Sequence, residues 1–246
     1  MNLIQIETTN VCNLHCPFCY REFMTREQGF MNFCTFRKSL KLAHKLKVKE
    51  VWLHNFGEPL LHPQLTKFIK HASRNFKVGF ATNGTLLNFQ KIRELKSNGL
   101  TYLDISLNMD TQKFNLVHYI AMYQIANELG LDCRFRTVVN NKGEYDYLHK
   151  MLKSFKVRWQ RTMIRSKEVR TSPCEAKKKV CVVLWDGTVV PCCSIVNKEI
   201  IYGEINNTNI QEKIRNGIAS LDNRFNRGYC KFCGEVEEEM PIERKL

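Results

Sequence analysis

Short apolar runs alternate with stretches of helical period along the first two thirds of the chain. The apolar runs are rich in β-branched residues and predict strands at 3–8, 50–54, 76–81, 101–106, 131–138 and 157–163. Between strands, residues 36–47 repeat apolar positions on one helical face, at Phe36, Leu40, Ala43 and Leu46. Strands that alternate with helices predict βα units and a parallel sheet. Six strands do not close an eight-stranded barrel, so the pattern predicts an open α/β fold.

The pattern changes near residue 166, and we expect a second, smaller domain from there. The chain is therefore divided into a core, residues 1–165, and a tail, residues 166–246. The tail starts with a basic stretch of low helical character, RSKEVRTSPCEAKKK. Two β-branched runs then flank Asp186-Gly187, a dipeptide that favours the tight turn of a β-hairpin. A short helical pattern follows, so the tail is predicted to hold a small hairpin and a helix.

Length and composition allow a full hydrophobic core. The chain has 246 residues, of which 43% are apolar. It has no run of about 18 apolar residues and does not open on a basic segment followed by an apolar one. We therefore expect a cytoplasmic protein without a membrane partner. Its 11 cysteines favour metal ligation, because a reducing cytosol does not maintain disulfides.

The net charge is strongly positive, +14 from 38 basic and 24 acidic residues. Part of the excess is explained by solvated side chains on predicted helices, at Arg37, Lys38, Lys41, Lys45 and Lys47. The alternative is an anionic partner: an acidic peptide, a phosphorylated metabolite or nucleic acid. Aromatic residues are not concentrated in any basic run, as a stacking platform for nucleic acid would require.

Three cysteines follow the first predicted strand in the sequence CNLHCPFC, at Cys12, Cys16 and Cys19. Thiolates are the usual ligands of iron-sulfur clusters, and three on one loop bind three irons of a four-iron cube. The fourth iron is then open to a ligand. Zinc is the alternative, because cysteines two to four residues apart are also common in zinc sites. A zinc site needs a fourth ligand, for which His15 is the nearest candidate.

The spacing CxxxCxxC, with the aromatic Phe18 directly before the last cysteine, resembles the signature of the radical S-adenosylmethionine (SAM) superfamily. The resemblance implies a partial, open six-stranded parallel β/α barrel. It also implies a four-iron four-sulfur cluster whose open iron chelates the amino and carboxylate groups of SAM. A reductant such as flavodoxin or ferredoxin would supply electrons to that cluster.

Further similarities lie at the ends of the predicted strands, where parallel sheets gather function. The second strand ends in FGEP, which resembles the GGEP motif of the superfamily with Phe56 in place of the first glycine, and the third ends in TNG. A turn or a surface position is the ordinary alternative for each of these residues. The residues that the resemblance assigns to SAM are Phe18, Gly57, Glu58, Pro59, Thr82, Asn83, Ser106, Asn108 and Arg136.

The tail carries six further cysteines. Their order, a cysteine, a hairpin, a Pro-Cys pair and a final CxxC, resembles the SPASM and twitch extensions of the superfamily, which carry auxiliary four-iron clusters. A full SPASM extension uses more thiolates than this tail has. One cluster is therefore expected, as in the similar twitch extension of the radical dehydrogenase of 2-deoxystreptamine biosynthesis.

We assign the auxiliary cluster to four cysteines and read the other spare thiols as packing groups. Adjacent residues alternate in direction along a strand, so Cys192 and Cys193 are not expected to serve one iron site together. The predicted ligands are Cys174, Cys192, Cys230 and Cys233. A structural zinc site at the same four residues is the alternative. The remaining thiols are predicted to be small hydrophobic groups: Cys34, Cys133, Cys181 and Cys193.

The resemblance implies reductive cleavage of SAM to a 5′-deoxyadenosyl radical, which abstracts a hydrogen atom from the substrate. A closed auxiliary cluster near the substrate makes a net oxidation the expected outcome. We therefore expect an iron-sulfur dependent oxidoreductase that acts on a small polar metabolite or a peptide residue. The alternatives are radical modification of a nucleotide or nucleic acid, supported by charge alone, and a non-catalytic iron-sulfur or zinc binding protein.

Overall fold

All six predicted core strands form within two residues of their predicted bounds. The computed structural model describes residues 2–107, 115–139, 142–161 and 180–222. The core strands are β1 (Leu3–Ile6), β2 (Glu50–Trp52), β3 (Lys77–Thr82), β4 (Tyr102–Leu107), β5 (Asp132–Val139) and β6 (Val157–Arg161). The helices between them are α1 (Phe33–Lys45), α2 (Leu65–Ala72), α3 (Phe89–Ser97), α4 (Leu116–Glu128) and α5 (Lys142–Met151).

The described part of the tail adds three strands and one helix. These are β7 (Val180–Val183), β8 (Thr188–Val190), β9 (Gly203–Glu204) and α6 (Ile210–Asp222). The predicted hairpin is β7 and β8, which pair antiparallel around the turn that holds Asp186 and Gly187. Gly187 has φ +99°, a left-handed conformation that favours glycine.

The strands form one sheet in the order β6-β5-β4-β3-β2-β1-β7-β8-β9. The six core strands are parallel throughout. Within the described ranges the sheet does not close, since β6 forms one edge and β9 the other. The prediction of an open parallel β/α barrel is confirmed. The sequence did not predict that β7 pairs parallel with β1, from Leu3 opposite Val180 to Ile6 opposite Val183.

Capping residues and apolar faces account for the helices. α1 begins three residues before the predicted start because the side chain of Asn32 accepts a hydrogen bond from the backbone N–H of Thr35 at 2.9 Å. Its buried face includes Phe36 and Leu40, as predicted. Phe36 stacks on Phe68 of α2 with ring centroids 4.1 Å apart, which ties the two helices together over the sheet.

The two faces of the sheet differ in character. Phe135 of β5 stacks on Tyr123 of α4 at 4.7 Å, and Trp159 of β6 packs against Tyr145 of α5 at 4.9 Å. Because side chains alternate along a strand, the neighbours of Phe135 and Trp159 point to the opposite face. We call the side opposite α4 and α5 the inner face. In a partial barrel this is the face toward the barrel axis.

No helix in the described ranges combines the length and the apolar character needed to cross a membrane.

Candidate active site

The three thiols of CNLHCPFC lie on the loop after β1, at the carboxyl edge of the parallel strands. Cys12, Cys16 and Cys19 are all partly exposed. The backbone N–H of Cys19 donates to the carbonyl of Cys16 at 3.0 Å, and Cys19 then caps a short 3-10 turn. Burial raises the pKa of the Cys19 thiol, and the nearby Cys12 raises it further. The loop therefore holds the thiols near one another while leaving them reachable.

The three thiols of the loop are not gathered around a single point. In the described ranges, no three Cys, His, Asp or Glu side chains converge tightly enough to ligate one metal ion. A zinc ion requires all its sulfur ligands at about 2.3 Å from one centre, whereas a cube takes one thiolate at each of several irons. Phe18 lies between the second and third thiols and is partly buried.

Gly57 of the FGEP turn brings the end of β2 against the chain that precedes the cysteines. A Cβ atom at position 57 would lie 2.2 Å from the carbonyl oxygen of Thr9 and 2.8 Å from the Cα of Asn10. The next residue, Glu58, donates its backbone N–H to the carbonyl of Val11 at 2.8 Å. Gly57 therefore packs directly against the backbone that leads into the cysteine loop.

The Glu58 carboxylate joins the FGEP turn to the end of β3. One oxygen accepts from the hydroxyl of Thr82 at 2.7 Å and from the N–H of Leu60 at 3.0 Å, and the other accepts from the N–H of Asn83 at 2.7 Å. Pro59 starts the 3-10 turn that presents Leu60. Burial raises the pKa of Glu58 to about 7, against the three hydrogen-bond donors, which lower it. Both oxygens are thus engaged by protein groups.

The TNG loop in turn contacts the cysteine loop. The Asn83 amide nitrogen donates to the side-chain oxygen of Asn13 at 2.8 Å and lies 3.8 Å from the sulfur of Cys12. Gly84 has φ +74°, and a Cβ atom there would lie 2.5 Å from the ring of Tyr119. The Tyr119 hydroxyl donates to the carbonyl of Asn83 at 2.9 Å. The FGEP turn therefore contacts the chain just before Cys12, and the TNG loop contacts Cys12 and Asn13.

The remaining predicted SAM contacts lie on β4 and β5 or outside the described residues. Ser106 stands opposite Arg136 in the register of the two strands. The Arg136 guanidinium lies 4.0 Å from the buried carboxylate of Asp104, which Arg134 holds at 2.6 Å. Asn108 lies outside the described residues, so its predicted role is not tested.

A buried ion pair beside the site was missed by the sequence analysis. Both terminal nitrogens of Arg26 donate to the carboxylate of Glu7, at 2.5 and 2.8 Å, and the Glu7 side chain is fully buried. Glu7 also accepts from the side-chain amide of Asn55 and from the backbone N–H of Trp185. The signal in the sequence was a charged residue that ends the first apolar run, at the start of ETTN.

Arg26 belongs to a segment, residues 23–29, that bridges the cysteine loop and the tail. Its Nε donates to the carbonyl of Val196 at 2.8 Å. Asn197 accepts from the N–H of Thr25 at 2.7 Å and donates to the carbonyl of Phe23 at 2.8 Å. Because residues 23–29 follow Cys19 closely and Val196 follows Cys192 and Cys193 closely, this segment links the cysteine loop to the part of the tail that holds these two thiols.

Only part of the predicted auxiliary site lies in the described ranges. Cys192 and Cys193 follow β8, partly exposed, against an apolar cluster that includes Val182 and Leu184. Three predicted ligands lie outside the described residues: Cys174, Cys230 and Cys233. The four-ligand site therefore stays a prediction.

The other thiols divide between the core and the surface. Cys133 and Cys181 are fully buried, as predicted for packing groups, and burial raises the pKa of Cys181 to about 12. The same prediction for Cys34 is wrong. Cys34 is exposed on the outer side of the first turn of α1, because the buried face of that helix passes through Phe36 and Leu40.

Known proteins resemble the chain in sequence and in fold. A relative from Pyrococcus furiosus, the tungsten-containing aldehyde ferredoxin oxidoreductase cofactor-modifying protein, is 31% identical over 119 residues, 48% of this chain and 33% of its own length. The chain spans about a third to a half of the length of the curated relatives it matches first.

Two solved structures share the fold. BtrN in complex with AdoMet and 2-DOIA superposes with a TM-score of 0.69 and 18% identity, over 96% of this chain and 94% of BtrN. Streptococcus suis SuiB bound to its precursor peptide SuiA gives a TM-score of 0.61 and 12% identity, over 86% of this chain and 64% of SuiB.

Two family models match different parts of the chain. An iron-sulfur cluster-binding domain, SPASM, matches residues 174–234, which contain all four predicted auxiliary ligands. The model of the radical SAM superfamily matches residues 6–154, which contain the cysteine loop, the FGEP turn and the TNG loop. The chain belongs to the radical SAM superfamily.

Proposed function

We propose that the protein catalyses a net oxidation of a small polar metabolite or a peptide residue, started by a 5′-deoxyadenosyl radical. The observation that carries the radical step is the convergence of the FGEP turn and the TNG loop on the loop of Cys12, Cys16 and Cys19. The match of the tail to an iron-sulfur cluster-binding domain supports the oxidation. Two solved structures that share the fold support the choice of substrate class.

Family membership implies a SAM-binding four-iron cluster and SAM, and the SPASM match implies an auxiliary iron-sulfur cluster. When bound, these groups supply the electron that cleaves SAM and an acceptor for the electron that a substrate radical gives up. We propose that Cys12, Cys16 and Cys19 hold the first cluster and that Cys174, Cys192, Cys230 and Cys233 hold the second. The chemistry of the donors fits, since thiolates are the usual ligands of such clusters.

The chain's own residues position and enclose the reacting groups. Glu58 and Gly57 fix the ends of β2 and β3 against the cysteine loop. Asn83 places an amide beside Cys12, where it can donate to a cluster sulfur ligand. We propose that Ser106 and Arg136, on the inner face of β4 and β5, contact the carboxylate or ribose of SAM. The protein thus contributes orientation, while the cofactors carry the difficult bond cleavage.

Both substrate classes have support from structures that share the fold. BtrN was crystallised with 2-DOIA, a small molecule, and it resembles this chain over almost the full length of both proteins. SuiB was crystallised with its precursor peptide. The more complete superposition favours the small-molecule class, which we place first.

The test is anaerobic reconstitution with iron and sulfide, followed by an assay for 5′-deoxyadenosine. We expect about eight irons per chain, the content of two four-iron cubes, and slow SAM cleavage under reducing conditions even without substrate. Cys16→Ala removes one of the three thiolates and should abolish SAM cleavage. Cys34→Ala, on the exposed face of α1, is the matched control and should retain it. Cleavage that survives in Cys16→Ala would overturn the assignment of the first cluster.

A further inference from the structure

Three positions on neighbouring strands form a row across the inner face. Ser106 of β4 stands opposite Arg136 of β5, which stands opposite Arg158 of β6. Partners in parallel strands share a face and lie about 4.8 Å apart. Trp159, the neighbour of Arg158, packs on α5, and Phe135, the neighbour of Arg136, packs on α4. Both guanidinium groups therefore project from the inner face.

Charged groups of both signs lie on the inner face, with the carboxylates gathered around Arg134. Arg134 is two residues before Arg136 on β5, so both side chains lie on the same face of the sheet. Its guanidinium is 2.6 Å from the Asp104 carboxylate and 5.5 Å from the ring of Trp52. Among the described residues, Asp104 is the acidic group with which Arg134 and Arg136 form ion pairs. The carboxylates of Asp132 and Glu50, at the starts of β5 and β2, also act on Arg134. Arg136 and Arg158 lie farther toward the carboxyl ends of their strands, away from these two carboxylates.

A partly buried histidine lies among these arginines. His54, beyond the end of β2, accepts a hydrogen bond at Nδ1 from the backbone N–H of Ala81 at 3.2 Å. Its pKa is lowered to about 3, first by burial and then by Arg136, Arg158 and Arg134. The ring is therefore neutral and adds no charge. The side chains of Arg134 and Arg136 keep 39% and 22% of their surface exposed, so an incoming anion can reach them.

We propose that Arg158, with Arg136 beside it, binds an anionic group of the substrate, a carboxylate or a phosphate. This inference rests on the proposed radical SAM function, because it assigns the inner face to the substrate. The carboxylate of SAM is one anion, and Arg136 suffices as its donor. Arg158 then remains for a second anion. A guanidinium is suited to either group, since both accept two parallel hydrogen bonds from its planar fork.

The position of Arg158 gives this contact a role in orientation. Within the described ranges, β6 is an edge strand of the sheet and β1 lies five strands away. A group bound at Arg158 therefore lies at the edge of the inner face that is far from the cysteine loop after β1. A substrate anchored at Arg158 can extend its uncharged part across the inner face toward the cysteine loop. Anchoring at one charged end is a common way to orient a substrate for attack at another position.

The test uses reconstituted protein with saturating SAM, titrated anaerobically with inorganic pyrophosphate or succinate, with glycerol as the uncharged probe. Binding is followed by tryptophan fluorescence, because Trp52 lies against Arg134 and Trp159 adjoins Arg158. We expect both anions or one of them to bind the wild type, and Arg158→Gln to weaken that binding about tenfold or more, as expected for loss of a charge-assisted hydrogen bond. The probe that binds more tightly identifies the anion as phosphate or carboxylate.

Two further variants separate charge from general effects. Arg93→Gln removes the same charge from an exposed position on α3 and should bind the anions like the wild type. Arg158→Lys keeps the charge without the planar fork and should retain part of the affinity. Equal affinity in Arg158→Gln and the wild type, or no anion binding by the wild type, would overturn the proposal. So would a loss of SAM affinity in Arg158→Gln while anion binding stays intact.

The outcome is separable from that of the proposed function. Formation of 5′-deoxyadenosine by the wild type without any added anion tests SAM cleavage by itself. If the protein binds anions through Arg158 but cleaves no SAM, the proposed radical function is wrong and the anion site is supported. If it cleaves SAM but binds no anion, the anion site is wrong and the radical function is supported.

Discussion

At the scale of single residues, Gly57 allows the FGEP turn to pack against the backbone of Thr9 and Asn10. Because the nearest atoms to a Cβ there are backbone atoms of Thr9 and Asn10, relief requires the chain itself to move. We expect Gly57→Ala to displace the segment before Cys12 and to lower both the iron content and the SAM affinity. Iron analysis after reconstitution and a SAM binding assay measure the two effects.

A second glycine supplies the control for Gly57. Gly130 has φ +76°, so an alanine there is strained, but its Cβ would meet only the flexible end of Lys96, at 3.4 Å. Gly130→Ala should cost about 1 kcal/mol of stability and leave the iron content unchanged. If Gly57→Ala keeps its full iron content and only binds SAM more weakly, then Gly57 contacts SAM and does not position the cysteine loop.

Glu58 gives the site a pH dependence. Its folded-state pKa of about 7 lies above the ordinary value of 4.5, so the native protein holds a proton that the unfolded chain releases between these values. The stability from this group is therefore greatest below pH 4.5 and declines as the pH rises to about 7. We expect the unfolding free energy of the wild type, relative to Glu58→Gln, to fall between pH 5 and pH 8 in urea titrations.

The variant Glu58→Gln also tests the three donors. A glutamine amide turns an N–H toward the backbone N–H of Asn83, an unsatisfied contact that costs about 1–3 kcal/mol at every pH. If the advantage of the wild type instead grows with pH, the donors rather than burial set the pKa. The hydrogen bonds from Thr82 and Asn83 are the contacts that this variant changes.

These residues show what a motif can reveal. FGEP and TNG were recognisable as sequence motifs, and the strand pattern predicted that they lie at strand ends. The contact of Gly57 with Thr9 and of Asn83 with Cys12 joins residues far apart in sequence, and no local pattern encodes such a contact. Arg158 went unnoticed for the same reason, because its meaning depends on the register of β5 and β6.

At the scale of elements, the ion pair of Glu7 and Arg26 ties β1, the 23–29 segment and the tail together. Arg26→Met would leave the buried Glu7 carboxylate without its cation. Removal of one partner from a buried pair costs about 3–5 kcal/mol. We expect Arg26→Met to lower the unfolding free energy in urea by that amount. The fluorescence of Trp185 should change at a lower urea concentration than in the wild type, because the Trp185 indole donates to the carbonyl of Glu27 in the same segment.

An exposed pair provides the matched comparison for Arg26. Lys91 and Glu94 on α3 are 2.6 Å apart, but their side chains are 37% and 43% exposed. Such surface pairs contribute less than about 1 kcal/mol, so Lys91→Met should hardly change stability. Equal losses in Arg26→Met and Lys91→Met would mean that the buried pair does not secure the 23–29 segment.

The elements themselves were largely predictable and their assembly was not. β-branched runs set the six core strands, and Asp186-Gly187 set the hairpin. The parallel pairing of β7 with β1 joins strands separated by most of the chain, with no turn between them to fix the register. Cys34 failed as a core prediction because a single position near a helix start has no periodic context.

At the scale of the whole molecule, the tail is built onto the core by its backbone. β7 continues the parallel sheet beyond β1, and the N–H of Glu7 donates to the carbonyl of Val183 at 2.8 Å. The tail cysteines after β8 are therefore placed by the same sheet that places the cysteine loop. The net charge of +14, by contrast, did not by itself distinguish solvated helices from a binding surface, because it does not show which basic residues the fold brings together.

The tail cysteines give the last prediction, which decides between two adjacent thiols. Cys192 has the spacing from Cys174 that the twitch pattern implies, whereas the charge of Cys193 acts on Arg136, whose pKa is lowered mainly by burial. Cys193 thus lies near Arg136. We expect Cys192→Ala to lose about four irons per chain while SAM cleavage at the first cluster persists, and Cys193→Ala to keep its iron. The reverse pattern would show that the ligand is Cys193. Loss of zinc instead of iron would make the tail a structural zinc site and remove the basis for a net oxidation.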